Sequence, residues 1–557
     1  MLSELLTWSL MLITFFIWGQ FALTITYGKT VKFKPSYDLK IICGMALVNL
    51  YAQVFSLFGG VGMWAVIVML LVTLAAGAYI FRTGDPGQKV LPDIKGVVRS
   101  RWSFMLLALA GVLLWDNMTP QHYDTYLYHA QFIHWIEDYG VVKGLANLHF
   151  RFAYNSAIMS PQALFSFKWL TGQSLHTLNG FFTLFYMAYI ILTMGRRERP
   201  VMSDIMKLGT FLYILYDSFH VSSPNTDTVA LLLACYILTK WTEYAEDKVT
   251  DVYAYGLLCI LVVYATTIKL SVGILVLLVI YPAVLLVKNK RIAAIIGHLL
   301  AGIGLLAPYL IRNVLISGYI LYPYEITKVN GLDWCLSEET LAQDRAQIIA
   351  WGRGNMDTSR NGEHIWQWIG DWYGSINILW KLLMPICLLA IVYLIVKLIK
   401  DRESRQNRAM LTLLLMLPVG LIFWLLTAPL PRYGTIYMIM LPSGAAYYLL
   451  KAFADKRENI RSRLKGGINI LTALALMAYL IIYVGYSIYM GTGRPQLLMQ
   501  YDYDNKAYEI SYLENIEVAV PASGDQVGYE PFPQTPYGEM LESLRLRGED
   551  ISDGFKY

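Results

Sequence analysis

The sequence predicts an all-α protein that crosses a membrane many times. Hydrophobic residues make up 56% of the 557 positions and charged residues only 15%, and the mean hydropathy is +0.46. A soluble domain of this length cannot bury so much apolar surface, so a lipid bilayer is the expected solvent. Apolar runs of about 17–25 residues, long enough to cross a hydrocarbon core of about 30 Å, recur along the chain.

Fourteen apolar segments are candidate spans, and we expect between twelve and fourteen of them to cross. They cover 2–24, 39–58, 61–81, 103–115, 175–194, 205–220, 227–243, 251–267, 270–287, 292–312, 375–399, 409–427, 435–451 and 467–490. The 103–115 segment is short, and 251–287 forms either two spans or one broken pair. The first segment is predicted to be a span and not a cleaved signal, because it has no basic n-region and no A-x-A-like cleavage site.

Basic loops predict the orientation of the spans, because Lys and Arg are concentrated on the cytoplasmic side. Every basic cluster follows an odd-numbered candidate span. The clusters contain Lys29, Lys32, Lys34 and Lys40; Arg82, Lys89, Lys95, Arg99 and Arg101; Arg196, Arg197 and Arg199; Lys288, Lys290 and Arg291; Lys397, Lys400, Arg402, Arg405 and Arg408; and Lys451, Lys456, Arg457, Arg461, Arg463 and Lys465. The alternation therefore places both termini outside, together with two large loops at 116–174 and 313–374.

The predicted organisation is a transmembrane domain over 1–490 followed by a small extracytoplasmic tail over 491–557. The tail is polar, rich in Tyr and Pro, and contains a strand-like run at 516–521. The five cysteines show no paired spacing, so neither a disulfide framework nor a zinc site is expected. The net charge of +5 is distributed over the loops and gives no indication of a nucleic-acid partner.

The segment 116–155 concentrates titratable and aromatic residues directly after a candidate span. Four of the eight histidines lie in it, at His122, His129, His134 and His149. Their spacings match no metal-binding motif. We therefore expect surface or interfacial histidines in this segment and assign no metal to it.

Asp124 is the carboxylate of greatest interest in this segment. One face of a helix over 122–139 carries, at helical spacing, Asp124, Tyr128, Gln131 and Trp135. An apolar side lies opposite, which is typical of an amphipathic helix at the membrane surface. Asp124 at the start of this helix either points into a cavity or only caps the helix.

Further charges lie at the outer boundary of the predicted spans. Asp116 ends the fourth span, where it either anchors the interface or faces a site, and Asp227 lies in the first turn of the seventh. Lys269, Arg312 and Arg432 lie at outer turns, against the positive-inside bias. Charges at this depth are costly and usually face a pocket, although each cation is alternatively a snorkelling anchor. Three cations around one carboxylate would suit a phosphate leaving group beside a catalytic base.

The stretch 364–374 carries three tryptophans, Trp366, Trp368 and Trp372. Aromatic rings stack on the faces of sugars, but tryptophans also form the interfacial belt of membrane proteins. The belt is the preferred interpretation, so no binding role is assigned to these residues from the sequence.

Several outward segments resemble those of the polytopic GT-C class of glycosyltransferases, which use polyprenyl-phosphate-linked sugars. These segments are H-Y-D-T-Y-L-Y-H, S-P-N-T-D, P-Y-L-I-R-N-V-L-I-S-G-Y-I-L-Y-P and P-L-P-R-Y. More narrowly, a group of uncharacterised bacterial membrane proteins, placed among surface-polysaccharide enzymes, is similar in Y-H-A-Q-F-I-H-W-I, G-L-A-N-L-H-F-R-F-A-Y-N-S and the ending R-L-R-G-E-D-I-S-D-G-F. The resemblance covers most of the chain in architecture and only these short segments in motif.

The resemblance implies a GT-C-like fold in a bacterial cytoplasmic membrane, with the active face outside. Asp124 would be the general base of an inverting sugar transfer to a hydroxyl of a lipid, glycan or protein acceptor. Lys269, Arg312 or Arg432 would stabilise the departing lipid phosphate. The other predicted substrate-binding residues are Asp116, Tyr128, His129, His149, Arg151 and Asp227. The acidic pair of better-known members is Asp124-Thr125 here, so a metal ion is not supported and no cofactor is assigned.

Two other functions compete with this expectation. An O-antigen or capsule polymerase or ligase would depend on arginines of the large loop, namely Arg345, Arg353 and Arg360. A lipid or glycan transporter would place discontinuous helices and charges at the bilayer midplane. The charges of this chain are instead predicted at the outer boundary.

Overall fold

Helices dominate the computed structural model, which describes residues 1–27, 33–83, 92–195, 201–401, 406–454, 458–491 and 494–557. Fourteen long helices run through these described residues, and each coincides with one predicted segment. They are α1 (Leu2–Tyr27), α2 (Tyr37–Ser56), α3 (Met63–Thr83), α4 (Pro92–Asp116), α5 (Leu178–Thr193), α6 (Met202–Tyr216), α7 (Thr226–Glu246), α8 (Val252–Ile268), α9 (Leu270–Lys288), α10 (Ile292–Ser317), α11 (Ile378–Lys400), α12 (Arg408–Thr427), α13 (Pro431–Ala454) and α14 (Glu458–Met490). The first half of α9, Leu270–Val279, is a 3-10 helix.

Nine of the described helices are long and apolar enough by themselves to cross a membrane, namely α1, α2, α3, α9, α10, α11, α12, α13 and α14. The predicted class of an all-α, multi-pass membrane protein is confirmed at this level. The apolar helices α5 and α8 are shorter, at 16 and 17 residues. The finer count of twelve to fourteen spans therefore stays a prediction.

Three loops that the sequence predicts on the same side of the membrane, those after α2, α4 and α8, lie together in the structure. The segment that follows α4 contacts the turns after α2 and α8, where Val61 N donates to Ile136 O over 2.8 Å and Ala157 N donates to Thr267 O over 3.0 Å. Of the basic residues used for orientation, the following lie outside the described residues: Lys29, Lys32, Lys89, Arg196, Arg197, Arg199, Arg402, Arg405, Lys456 and Arg457.

Helix α7 lies at the centre of the bundle, because it is apolar on all sides along most of its length. Every residue from Thr228 to Thr242 is buried. Its far end carries charges, and these are paired: Nζ of Lys240 lies 2.6 Å from Asp38 and 2.8 Å from Glu243. A buried charge costs free energy unless it is paired, so this network is what allows α7 to end inside the bundle.

Three segments pack together at the other end of α7, and we call them the cap: residues 117–177, 318–377 and 494–557. Their short helices are a π-helix at Thr125–His129 and further α or 3-10 turns at Ala130–Asp138, Leu145–Leu148, Phe150–Tyr154, Met159–Leu164, Lys168–Thr171, Glu325–Thr327, Glu338–Gly352, Thr358–Gly362, Ile365–Ser375, Gly538–Glu542 and Ile551–Asp553. One more 3-10 turn, Ser218–His220, joins α6 to α7.

The tail, residues 494–557, contributes two small antiparallel sheets to the cap. Strands β1 (Tyr508–Leu513) and β2 (Ile516–Pro521) form one, and β3 (Arg545–Leu546) and β4 (Phe555–Lys556) form the other. The predicted strand at 516–521 is therefore confirmed. Its partner β1 was not predicted from the sequence, although Y-E-I-S-Y-L alternates apolar and polar residues as a strand does.

The tail covers the helical segment predicted at 122–139. Gln131 and Trp135 are both 0% exposed, and Nε2 of Gln131 donates to the carbonyl of Tyr529 over 2.8 Å. The prediction of an amphipathic helix exposed at the membrane surface is therefore wrong, because the polar side of this helix is buried beneath the tail. Periodicity identified the apolar side correctly, but it contains no information on what covers the polar side, which here comes from a distant part of the chain.

A buried carboxyl holds the tail against this segment. Tyr529 OH donates to Oε2 of Glu137, and Ser174 Oγ donates to Oε1 over 2.6 Å. Burial raises the pKa of Glu137. The rings of Tyr529 and Phe532 stack on His134 at 4.5 and 4.0 Å between centroids. This contact is the main polar anchor between the tail and the first cap segment.

Tyr529→Phe is expected to destabilise the protein by about 1–3 kcal/mol, because it leaves a buried carboxyl oxygen of Glu137 without its donor. Thermal unfolding of the purified protein in lipid nanodiscs measures the effect as a lower Tm. Tyr512→Phe is the matched control, since Tyr512 is 61% exposed on the same tail. Equal Tm values for the two variants would show that this contact does not hold the tail.

Candidate functional site

Four charged side chains from distant parts of the chain meet at the cap end of the bundle, and we call them the charge cluster: Asp124, Asp227, Lys269 and Arg432. Nη1 of Arg432 lies 3.0 Å from Oδ2 of Asp124 and 3.5 Å from Oδ2 of Asp227. Nζ of Lys269 donates to Oδ1 of Asp227. Acid and base alternate through the cluster, so its formal charges cancel.

Asp124 occupies the N-cap position of the π-helix Thr125–His129, but its side chain makes no capping hydrogen bond. The alternative that Asp124 only caps a helix is therefore wrong. The carboxylate instead reaches Arg432, and it keeps 16% of its surface exposed. Single π-helical turns are rare and occur frequently at functional sites. The carboxylate of Asp124 is thus not engaged in capping and is available for contacts within the cluster.

Asp227 is also free of any capping role. Asn225 caps α7 by accepting a hydrogen bond from Thr228 N over 2.8 Å. This leaves Asp227, in the first turn, to face Lys269 and Arg432. The N-terminus of a helix favours negative charge, whether a carboxylate or a bound phosphate. The position therefore suits an anion site.

The two cations lie at breaks between helices. Lys269 has an extended backbone, with φ −151° and ψ 120°, between α8 and α9. Arg432 is the second residue of α13, directly after the turn that ends α12. Tyr433 lies beneath both charges, with its ring centre 4.2 Å from Nζ of Lys269 and 5.2 Å from the guanidinium carbon of Arg432. Side-chain exposures of 17% and 37% leave both cations accessible.

Burial and pairing set the protonation states around the cluster. Burial alone would raise the pKa of Asp124, but the Arg432 guanidinium beside it holds this pKa below its ordinary value. Burial lowers the pKa of His122 to about 3 and that of His129 to about 4. At neutral pH the carboxylate is ionised and both imidazoles are neutral. The site therefore combines the two anions and two cations of the charge cluster with two neutral imidazoles beside them.

The expectation of surface or interfacial histidines is wrong, since all four histidines of this segment are buried. Nε2 of His122 lies 3.7 Å from Oδ2 of Asp227. Both ring nitrogens of His129 are buried and have no hydrogen-bond partner among the described residues. An unpaired buried polar group is costly unless a ligand or water pairs with it, so His129 indicates a binding position beside the cluster.

Three side chains have the spacing to hold a metal ion: ligand atoms of His122, Asp124 and Asp227 all lie within 4.8 Å of one another. The same carboxylates already face Lys269 and Arg432. A divalent cation would have to displace one or both of these charges. The donor set therefore suits a metal less well than it suits an anion that competes with the carboxylates for the two cations.

Other predicted substrate-binding residues form structural links within the cap. Nη1 of Arg151 pairs with Oδ1 of the buried Asp344 at 2.9 Å, and Asp344 holds the pKa of Arg151 above its ordinary value against the lowering effect of burial. The ring of His149 contacts the carbonyl of Leu127 at 3.0 Å. Tyr128 is closer to the cluster, with its ring 4.3 Å from that of His129.

Arg312 and Asp116 lie apart from the cluster. Arg312 is wholly buried and donates from Nε to Asn155 over 3.1 Å and from Nη1 to Ser56. It forms no ion pair with a cluster carboxylate among the described residues. Asp116 accepts hydrogen bonds from Gln500 at its carbonyl and its carboxylate, over 2.8 and 3.2 Å. The structure thus brings together Lys269 and Arg432, but not Arg312, around Asp124.

The arginines of the second cap segment do not converge on a site. Arg360 pairs with Glu363 at 2.8 Å and with Asp371 at 2.9 Å. Nη1 of Arg353 donates to the carbonyl of Asn361 over 2.8 Å. Arg345 is exposed. A polymerase or ligase site built on these three arginines has no support in this arrangement.

Sequence reasoning missed three members of the site. His122 lies two residues before Asp124, and its ring faces that of His220 at 4.8 Å between centroids. His220 in turn contacts Asp217, with 2.7 Å between Nδ1 and Oδ1. Tyr433 directly follows Arg432 in P-L-P-R-Y and supports both cations. Adjacency to predicted residues was a usable signal for His122 and Tyr433, but nothing local indicated His220.

Comparison with known proteins identifies a family. No curated protein and no solved structure matches the chain. The family described as "Domain of unknown function (DUF8201)" matches residues 1–439, a range that contains the whole charge cluster. Since this match covers more than half of the chain, the protein belongs to the DUF8201 family.

Proposed function

We propose that this protein is a membrane glycosyltransferase of the GT-C type. It moves a sugar from a polyprenyl-phosphate donor to an acceptor hydroxyl, with inversion, on the extracytoplasmic face of a bacterial cytoplasmic membrane. The observation that carries the proposal is the charge cluster, in which Asp124 meets Arg432, Asp227 and Lys269 in a partly exposed site beside apolar helices. A base and two cations are what transfer from a lipid phosphate requires.

In the proposed reaction the acceptor oxygen attacks the anomeric carbon of the donor sugar. Asp124 takes the proton from the attacking hydroxyl as the new carbon–oxygen bond forms. The bond between the anomeric carbon and the phosphate oxygen breaks, and its electron pair stays on the phosphate. Lys269 and Arg432 neutralise the developing negative charge, and preorganised donors of this kind commonly contribute most to rate enhancement.

Donor binding and base strength are coupled in this scheme. A paired carboxylate is a weak base, and Asp124 is paired with Arg432 at 3.0 Å. A phosphate that shares the Arg432 guanidinium weakens this pairing, and the basicity of Asp124 rises. His129, whose nitrogens are buried and unpaired, supplies a neutral hydrogen-bond donor to the bound substrate.

The membrane-embedded apolar surface accounts for the lipid part of the donor. The acceptor is a lipid, a glycan or a protein that presents a hydroxyl at the cap. The polymerase or ligase alternative is weaker because Arg353 and Arg360 are engaged with neighbouring groups. The transporter alternative is weaker because the four charges of the cluster lie at the ends of helices and pair with one another.

Asp124→Asn is expected to lower kcat by about 10²–10⁴-fold, because the amide cannot accept the hydroxyl proton. Product formation from a panel of polyprenyl-phosphate sugars, with protein in nanodiscs, measures this change. Asp333→Asn is the matched control, since that acid lies on the cap surface and pairs with Arg547 instead. Full activity of Asp124→Asn would remove the proposed base.

Lys269→Met is expected to raise the KM for the donor and to lower kcat/KM by about 10–100-fold, because one charge-assisted contact to phosphate is lost. Lys381→Met, a cap-side cation that donates to the carbonyl of Gly374 over 2.7 Å, should leave both parameters unchanged. The proposed phosphate site would be refuted by an unchanged donor KM in Lys269→Met together with unchanged kcat.

The kcat/KM profile is expected to be flat between about pH 5 and pH 8. The pKa of Asp124 lies below its ordinary value and those of His122 and His129 are lowered to about 3 and about 4, so none of the three titrates in this window. Activity should fall only at lower pH, where the carboxylate gains a proton. An inflection near the ordinary histidine pKa of about 6.5 would contradict the buried, neutral imidazoles.

A further inference from the structure

A cavity of about 480 Å³ lies where the second cap segment meets the starts of α11 and α13, and its lining includes Pro431, the residue before Arg432 of the charge cluster. We call it the tryptophan pocket. Its lining includes three tryptophans and three polar side chains, namely Trp351, Trp372, Trp380, Asn355, Ser375 and Asn377. This volume falls in the range of small-molecule sites, which are about 300–1,000 Å³.

Two of the three indole rings of the pocket, those of Trp351 and Trp372, are held in place by other parts of the protein. Trp372 donates its indole N–H to the carbonyl of Pro429 over 2.8 Å, and it is buried. The guanidinium of Arg151 stacks on Trp351, with 4.8 Å from its carbon to the ring centre. Gly354 has φ +75°, and a Cβ there would lie 2.1 Å from Ser375 Oγ, so this wall requires glycine. The pocket is thus preformed.

The lining combines aromatic faces with amide and hydroxyl groups. Asn355, Ser375 and Asn377 are the polar side chains among the lining residues. A pyranose ring has the complementary character, because its C–H faces are apolar and its edge carries hydroxyls. Each of these side chains makes one or two hydrogen bonds within the protein, namely Ser375 Oγ to Trp372 O, Asn377 to Tyr216 and Trp380, and Asn355 to Asp357 N. Their remaining donor and acceptor sites face solvent, and a prenyl chain would displace that water without replacing its hydrogen bonds, which costs free energy. The chemistry of the lining therefore favours a sugar over a lipid tail.

The position of the pocket connects it to the charge cluster. Pro431 in its wall directly precedes Arg432, which contacts both cluster carboxylates. In the proposed reaction the attacking hydroxyl lies beside Asp124 and the donor phosphate lies beside the two cations, so a pocket whose wall adjoins Arg432 is placed for a unit next to the reacting groups. We propose that the tryptophan pocket binds a pyranose unit of a saccharide acceptor. This inference rests on the proposed glycosyltransferase function and narrows its acceptor to a glycan.

The test is saturation-transfer difference NMR on the full-length protein in nanodiscs, with the methyl glycosides of glucose, galactose and N-acetylglucosamine as probes. At least one probe should receive saturation at its ring protons. Trp351→Ala should weaken its Kd by about tenfold, since aromatic side chains dominate binding energy in such sites. Trp366→Ala is the matched control, because Trp366 is 72% exposed and outside the lining, and it should bind as the unsubstituted protein does.

A second variant keeps the test valid if Trp351→Ala fails to fold, since Trp351 packs against Arg151. Asn355→Leu leaves that contact intact and should also weaken the Kd of the probe, while Trp351→Phe should retain most binding. Absence of pyranoside binding to the unsubstituted protein, or unchanged Kd values in Trp351→Ala and Asn355→Leu, would overturn the proposal. Saturation transfer to the prenyl chain of farnesyl phosphate that Trp351→Ala abolishes would overturn it in favour of a lipid.

The Asp124→Asn variant distinguishes a failure of this inference from a failure of the proposed reaction. Asp124→Asn should bind the pyranoside probe with unchanged Kd, because Asp124 is not part of the pocket lining. Normal binding by Asp124→Asn with retained activity would reject the proposed base and leave the pocket standing. Loss of activity in Asp124→Asn without any pyranoside binding by the unsubstituted protein would reject the pocket and leave the reaction standing.

Discussion

The alternation of acid and base in the charge cluster is the interaction on which the cap end of this protein depends. Each of the four charges is partly buried, and each is stabilised by its oppositely charged neighbours in the series. The series also joins a cap segment, the start of α7, the break between α8 and α9, and the start of α13. The same contacts that close these elements together therefore create a site with a base and two cations.

The cap converts this cluster from a surface feature into a partly enclosed site. The tail reaches back to the backbone next to the base: Val527 N donates to the carbonyl of Tyr126 over 2.6 Å, two residues after Asp124. The tail lies beyond residue 439, where the family match ends. The part of the chain that contacts the segment around Asp124 is thus not confined to the region that defines the family.

Much of this arrangement could be predicted from the sequence, because it depends on local patterns. All fourteen apolar segments are helices, and the run at 516–521 is a strand. Boundary charges in a membrane protein need partners, which was enough to associate Asp124 with Lys269 and Arg432. The same reasoning included Arg312, which is instead bonded to Asn155 and Ser56. A need for a partner does not identify the partner.

The sequence by itself determined the helices, the alternation of basic and non-basic loops between them, and which charged residues need a partner at one end of the bundle. Each of these depends only on the hydrophobic length or the charge of a short segment. Only the tertiary structure decided which charges meet, that the four histidines are buried, and that Arg151 links cap segments through Asp344. It also decided that Trp372 lines a pocket beside Arg432, where the sequence favoured a belt. The reason is that these contacts join residues that lie between about forty and three hundred positions apart in the sequence. Their geometry therefore depends on how all the helices pack together.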